Sequence, residues 1–394
     1  MSKREYLAGV RPRYLKASKR AEKSRLLDEI CATTGYDRKY VLRFLAQSPK
    51  LGRRPRSGRG RKPVYQDPEL LKPLKAIWRA ANLPCSKRLK AMLPIWLPGY
   101  ESMFGSIDEA IRTKLLSVSP ATIDRLMSPV RLQQVGRGRS TTKPGGLLRA
   151  QIPIQTGQWE ENRPGFVEAD TVAHCGGSMA GQFVFTLDCV DIATGWSEQR
   201  AIWNKGASGV VKQMRAIEKA LPFELLGFDA DNGSEFINEQ LVRHFLSRQT
   251  PVKFTRSRAY RKNDNAHVEQ KNWTHVRQWI GYDRIDNPAA VELLNGIYAN
   301  EWRLFHNFYG ASVKLLSKER IGGKIIKKHD VPKTPYQRVM ESERVPDYAK
   351  RGLKGIFENT NPFMLRRAID KKLRQLFKLC YNPPTENQGT EDSG

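Results

Sequence analysis

Acidic residues are in short supply: 40 Asp and Glu stand against 68 Lys and Arg, leaving a formal charge of +28 over 394 residues. Such a surplus argues against cationic partners and points to a polyanion, most simply nucleic acid. Cysteine is scarce too. The five present (Cys31, Cys85, Cys175, Cys189 and Cys380) are scattered and form no Cys-x-x-Cys pair, which excludes a disulfide framework or a Cys-rich zinc module. The six histidines are equally dispersed, so any metal must be held mainly by oxygen. No uninterrupted apolar run approaches the ~18 residues of a membrane span. No lipidation motif and no charged-then-apolar leader is found. The expectation is a cytoplasmic, nucleoid-associated protein with no membrane role.

What is present is ordinary for a globular chain: 39% hydrophobic residues, with 8 Trp, 13 Tyr and 15 Phe. The length suffices for two or three domains. Charge is uneven, since residues 1–62 hold 19 Lys and Arg against five Asp and Glu, half of the net total. Within them "SKRAEKSRLLDEICATTG" predicts a helix with Leu26, Leu27 and Ile30 inside, closed by Gly35. "YDRKYVLRFLAQ" predicts a second, with Val41, Leu42 and Leu45 on one side and Arg38, Lys39 and Arg43 on the others. Two helices about a short turn suggest a helix-turn-helix DNA-binding region over 1–50, with those three cations as DNA contacts; the bland alternative is a helical bundle with solvated charges.

Residues 51–66 read as a basic linker, in which Arg53, Arg54, Arg56, Arg59, Arg61 and Lys62 are candidate phosphate or minor-groove contacts. A second helical region is expected over 67–135. Its end, "LLSVSPATIDRLMSP", has Ser119 as N-cap, Pro120 at the first helical position and Ile123 and Leu126 inside. That end reads equally as the last helix of another helix-turn-helix or as a helical spacer. A linker follows over 136–159. From 160 to 285 the pattern alternates as βββαβαβα, an α/β region with a mixed sheet flanked by helices. Residues 286–394 are expected to form a small basic accessory region with a disordered acidic tail.

Three carboxylates recur at element ends in the α/β region. Asp170 lies in the first strand ("GFVEADTV"), Asp231 just beyond the fourth ("GFDADNGSEF") and Glu269 in the last helix ("HVEQ"). The first and fourth strands of such a sheet lie side by side, and the last helix can cross them. Three converging carboxylates are costly unless neutralised, and hard divalent cations do this with oxygen ligands. Asp229 shares a strand face with Asp231, so alternation alone does not separate the two. Glu168 shares a face with Asp170 and reads as a solvated strand charge. Arg261 and Lys262 in the preceding loop, and Lys271 and Arg277 in the last helix, are candidate DNA contacts.

"GFVEADTVAHCGG", "GFDADNGSEFIN" and "YRKNDNAHVEQKNW", in that order, resemble the catalytic blocks of the DDE transposase and retroviral-type integrase superfamily. The resemblance covers roughly residues 140–285 and extends weakly to the front region and to "TPYQRV" at 335–340. It implies a ribonuclease H-like core with Asp170, Asp231 and Glu269 as the metal-binding triad, and two Mg²⁺ or Mn²⁺ ions per site. The second position falls on the aspartate directly before Asn-Gly, which makes Asp231 the ligand and Asp229 its neighbour. Residues four and seven beyond the glutamate are basic in retroviral-type integrases; here they are Trp273 and Val276. No N-terminal His/Cys zinc module is present, which favours a bacterial-type transposase.

The function expected on these grounds is a transposase. It would bind double-stranded DNA at an element's terminal repeats, hydrolyse a phosphodiester there and join the 3′-OH to target DNA, as a homodimer or larger assembly. The alternatives are a metal-dependent structure-specific or ribonuclease H-type nuclease, and a catalytically inactive DNA-binding regulator.

Overall fold

A computed structural model describes residues 3–46, 64–65, 67–134, 163–230, 239–256, 266–321 and 324–381. The chain divides into two units, 1–64 and 65–394.

The described residues of the first unit form three helices, α1 (Lys3–Lys16), α2 (Arg20–Thr34) and α3 (Arg38–Ala46). Leu7, Val10, Leu27, Ile30, Val41 and Leu45 form its core. α2 stops where Gly35 turns left-handed at φ 68° and donates its N–H to the Cys31 carbonyl, a conformation glycine adopts without a Cβ penalty. In α3, Val41 and Leu45 lie one turn apart and are buried, whereas Leu42 points about 100° away and is exposed.

The second unit opens with α4 (Leu71–Ala80), α5 (Ser86–Phe104), α6 (Glu109–Ser117) and α7 (Pro120–Gln134). α7 starts as its sequence predicts: the Ser119 hydroxyl accepts the Thr122 N–H at 3.2 Å. Its inner residues are Ile123, Met127 and Val130, while Leu126 is only half-buried.

Next come β1 (Phe166–Ala173), β2 (Val184–Asp191), β3 (Ser197–Trp203), α8 (Ala207–Ala220), β4 (Gly227–Ala230), α9 (Glu239–Leu246), β5 (Lys253–Arg256) and α10 (Ala266–Lys271). They form one five-stranded sheet in the order β3-β2-β1-β4-β5. The β1–β2 and β2–β3 pairs are antiparallel, and β1–β4 and β4–β5 are parallel. Val167 and Ala169 of β1, with Phe185, Leu187 and Cys189 of β2, pack on Val210 and Met214 of α8 and Phe245 of α9. Val172, Val184 and Ala201 face the opposite way, into a second core. Every residue of β2 is buried, so the centre of the sheet is covered on both faces.

α10 runs on through a π-helical turn, Asn272–Arg277, into α11 (Gln278–Ile280). α12 (Ala289–Ile297) passes through a second π turn into α13 (Arg303–Tyr309). A two-stranded ribbon follows, β6 (Leu315–Ile321) and β7 (Lys324–His329), and then α14 (Pro335–Glu341), α15 (Asp347–Glu358) and α16 (Pro362–Tyr381). α14 begins in a reciprocal capping box between Thr334 and Gln337. The helices before and after the sheet share one apolar core. Trp96 of α5 meets Phe305, Tyr309 and Phe363 edge-on and donates its indole N–H to the Tyr309 carbonyl. Among the described residues no helix is long and apolar enough to cross a membrane.

Candidate active site

β1 carries its even-numbered residues on the face crossed by α10. Glu168 and Asp170 therefore project together, and the register extends them across the sheet: Asp170 pairs with Asp188 on β2, and Glu168 pairs with Asp229 on β4. Four carboxylates thus share one face of three adjacent strands. Ala230, the residue immediately before Asp231, pairs with Ala169, the residue immediately before Asp170. Asp231 itself lies outside the described residues.

Each of these carboxylates is held differently. Asp170 takes the Thr171 N–H on one oxygen at 2.7 Å and the Asn272 amide on the other at 2.6 Å. Since an ionised carboxylate only accepts, Asn272 must present its NH₂ to Asp170; its own carbonyl oxygen is then buried with no hydrogen-bond partner. Asp229 accepts the Thr255 hydroxyl at 2.5 Å. Glu168 is 4% exposed and accepts the Val268 N–H in the first turn of α10 at 3.1 Å. That corrects the solvated role expected for Glu168. Both faces of β1 are covered, and its carboxylate satisfies a helix N-terminal amide that has no intrahelical acceptor. Glu269 is the next residue after Val268 and is exposed. It precedes Asn272 by three positions, close to one turn, on the helix that Glu168 and Asp170 pin to the sheet.

Asp188 is fully buried, with one oxygen on Gln199 at 2.8 Å and the other without a partner. Burial raises its carboxyl to about 7, and Asp170 across the strand adds to this, while the Gln199 hydrogen bond and Lys271 oppose it. Lys271 is 7% exposed, and burial together with Arg88 lowers its ammonium to about 7 against the pull of Asp188. His275 and His306 lie beside it with ring centroids 4.0 Å apart. Burial holds both rings well below the usual histidine range. A buried polar cluster of Lys271, His275 and His306 therefore backs the acidic face at Asp188.

The predicted DNA contacts fare unevenly. Lys271 is buried instead of facing outward. Arg277 is drawn to the end of β1, donating to the Ala173 carbonyl at 2.7 Å and stacking its guanidinium over Tyr282. The π turn between Glu269 and Arg277 breaks the eight-residue spacing that would return both to one face. In the first unit Arg38 is bonded to Asp28 and Ser24, while Lys39 and Arg43 are exposed. Arg53, Arg54, Arg56, Arg59, Arg61, Lys62, Arg261 and Lys262 lie outside the described residues. Asn272 and Asp188 were not anticipated. Asn272 stands three positions beyond Glu269, and Asp188 is a carboxylate in the middle of a strand whose other polar residues are Thr186 and the terminal Asp191, the two signals that could have marked them. Among the described residues no three His, Cys, Asp or Glu side chains are grouped to hold a metal.

The fold and this face define an α/β protein with a mixed five-stranded sheet and a carboxylate-rich face under a crossing helix. No protein-family model matches the chain. It is 40% identical over 337 residues to the uncharacterised protein y4rM of Sinorhizobium fredii, covering 85% of this chain and 94% of that protein. The chain belongs to the family of that rhizobial protein. Among solved structures it is similar to the catalytic core domain of BIV integrase, at 15% identity and a TM-score of 0.29 over 45% of this chain and 95% of that one. Likeness of that degree assigns neither fold nor function.

Proposed function

We propose that the chain is a transposase with a ribonuclease H-like core, which cuts DNA at an element end and joins the freed 3′-OH to target DNA. The observation that carries this reading is the sheet order. It sets Asp170 on β1 beside β4, whose last residue precedes Asp231, and beneath the helix that bears Glu269. The three sequence blocks that resemble the DDE superfamily supply those same three residues. Asp170, Asp231 and Glu269 offer oxygen donors alone, which suits two Mg²⁺ or Mn²⁺ ions. Such ions, when bound, neutralise the charge that an in-line phosphoryl displacement develops.

The protein's own part is orientation. Asn272 and the Thr171 N–H hold Asp170 in one rotamer, and the Glu168–Val268 bond fixes the helix that presents Glu269. In the cut, a water oxygen bonds to phosphorus and the P–O3′ bond breaks, leaving a 3′-OH on the element. In the joining step that 3′ oxygen attacks a target phosphorus and expels the target's own 3′ oxygen. The excess positive charge, with Lys39 and Arg43 in the first unit as helix-turn-helix contacts, would position terminal repeats. Joining both ends in one complex calls for a dimer or larger assembly on DNA.

The test is joining of a pre-cut element-end duplex to plasmid DNA with Mg²⁺ or Mn²⁺. Joined product is expected from the wild type, with a loss of at least ~1,000-fold for Asp170→Asn, Asp231→Asn or Glu269→Gln, as for residues that act as one catalytic unit. Cutting without joining under every condition would support a nuclease and contradict the transposase reading.

A further inference from the structure

The β6–β7 ribbon has no role in the chemistry above, yet it is built as an arm. Its base is fastened: Lys314 donates its N–H to Asp330 and its ammonium to the Ala193 carbonyl at the β2–β3 turn, and Arg338 bonds Asp330 from α14. Beyond that base the strands pair with each other, Ser317 with Lys328 through Ile321 with Lys324. Residues 322 and 323 between them lie outside the described residues. Leu315, Leu316, Ile321, Ile325 and Ile326 are all exposed, Leu316 by 69%. Glu319, Arg320, Lys327 and Lys328 are exposed as well. Among the described residues no further strand pairs with this ribbon; a two-stranded ribbon is marginal in water, and five large exposed apolar side chains over fifteen residues call for a partner.

Charge selects that partner. The sequence from 315 to 329 holds five Lys and Arg against one Glu. Lysines along an open strand edge disfavour pairing with another protein strand, and a second copy of a +28 chain would bring like charge to like. Duplex DNA answers both features: its phosphates take the cations, and its major groove admits a two-stranded ribbon whose apolar side chains meet base and sugar surfaces.

We propose that the β6–β7 ribbon is a DNA-binding arm that lies in a groove of duplex DNA, a surface other than the acidic face. It rests on DNA being the substrate, as argued above. The experiment is equilibrium binding of the full chain to a fluorescent duplex across a salt series. Lys327→Ala/Lys328→Ala is expected to weaken binding about tenfold near physiological salt and to reduce the slope of log K against log salt by about 2, one per phosphate contact. Glu319→Lys is expected to do the reverse, tightening binding and steepening the slope by about 1, a gain that misfolding does not mimic. Unchanged affinity and slope in both variants, with the wild type still binding DNA, would overturn the arm and leave the transposase reading standing. A change in oligomeric state of Ile325→Ser without a change in DNA affinity would assign the ribbon to protein contact and overturn it as well. Absence of DNA binding by the wild type would remove both.

Discussion

Asp170 depends on a neighbour for its aim. With Asn272 removed, one of its oxygens loses its side-chain donor, and the carboxylate is free to leave the rotamer it needs. Asn272→Ala is expected to lower turnover in DNA cutting by about 10–100-fold, the usual cost of losing a group that orients a ligand. Duplex affinity should stay within about twofold, so a matching loss of binding would contradict a positioning role. His174 makes a different prediction. It is buried, its Nε2 meets the Thr186 hydroxyl at 2.8 Å, and burial with the Arg277 charge lowers it to about 3. An unfolded histidine titrates near 6.5, so between about 6.5 and about 3 the unfolded chain carries a proton that the folded chain refuses. His174 therefore stabilises fully above that window and less as pH falls through it. Relative to His174→Gln, the wild type should lose roughly 1.4 kcal/mol per pH unit below about 6. Urea unfolding at pH 7.5, 6 and 5 measures this, and a constant difference would refute it.

At the scale of elements, the strands from β1 to β5 and their βββαβαβα order follow from β-branched and aromatic runs between glycine turns, because local pattern and final fold agree there. The adjacency of β1 and β4 follows from that order. Patterning fails where an element is covered on both sides. Glu168 sits on a doubly covered strand, so its charge did not mark solvent. Lys271 lies on the one face of its helix that turns toward a buried acid, Asp188, while Glu269 and Gln270 beside it are exposed. The π turn at Asn272–Arg277 is not written in any residue type and displaced the expected face of Arg277. α1, with Pro12 inside and no clear apolar stripe, gave no helical signal. The ribbon went unread because its residues, basic and turn-rich, alternate only weakly. Glu168 also supports an element-scale prediction. Glu168→Ala leaves the Val268 N–H buried and unpaired, which should destabilise the chain by about 1–3 kcal/mol. Glu168→Gln keeps an acceptor and should recover most of it. Equal losses in the two variants would show that the hydrogen bond is not what matters.

Across the whole molecule, helices on both sides of the sheet in sequence meet in one aromatic core, a relation no local pattern could reveal. Trp96 is fully buried at its centre. Trp96→Ala is expected to cost about 3–5 kcal/mol, and Trp96→Phe distinctly less; a loss under about 1 kcal/mol in urea unfolding would mean that these helices do not depend on each other. The acidic face lies on the sheet beneath this core, and under the proposed function the +28 surplus of positive charge would favour association with DNA. The central claim is that the acidic face cuts DNA through Asp170, Asp231 and Glu269. Nicking of supercoiled plasmid with Mg²⁺ or Mn²⁺, comparing wild type with Asp231→Asn and Asp229→Asn, tests it most directly. Metal-dependent nicking is expected from the wild type, disappearing with Asp231→Asn and surviving, weakened, with Asp229→Asn. Loss with Asp229→Asn alone, or equal metal-independent nicking in all three proteins, would contradict it.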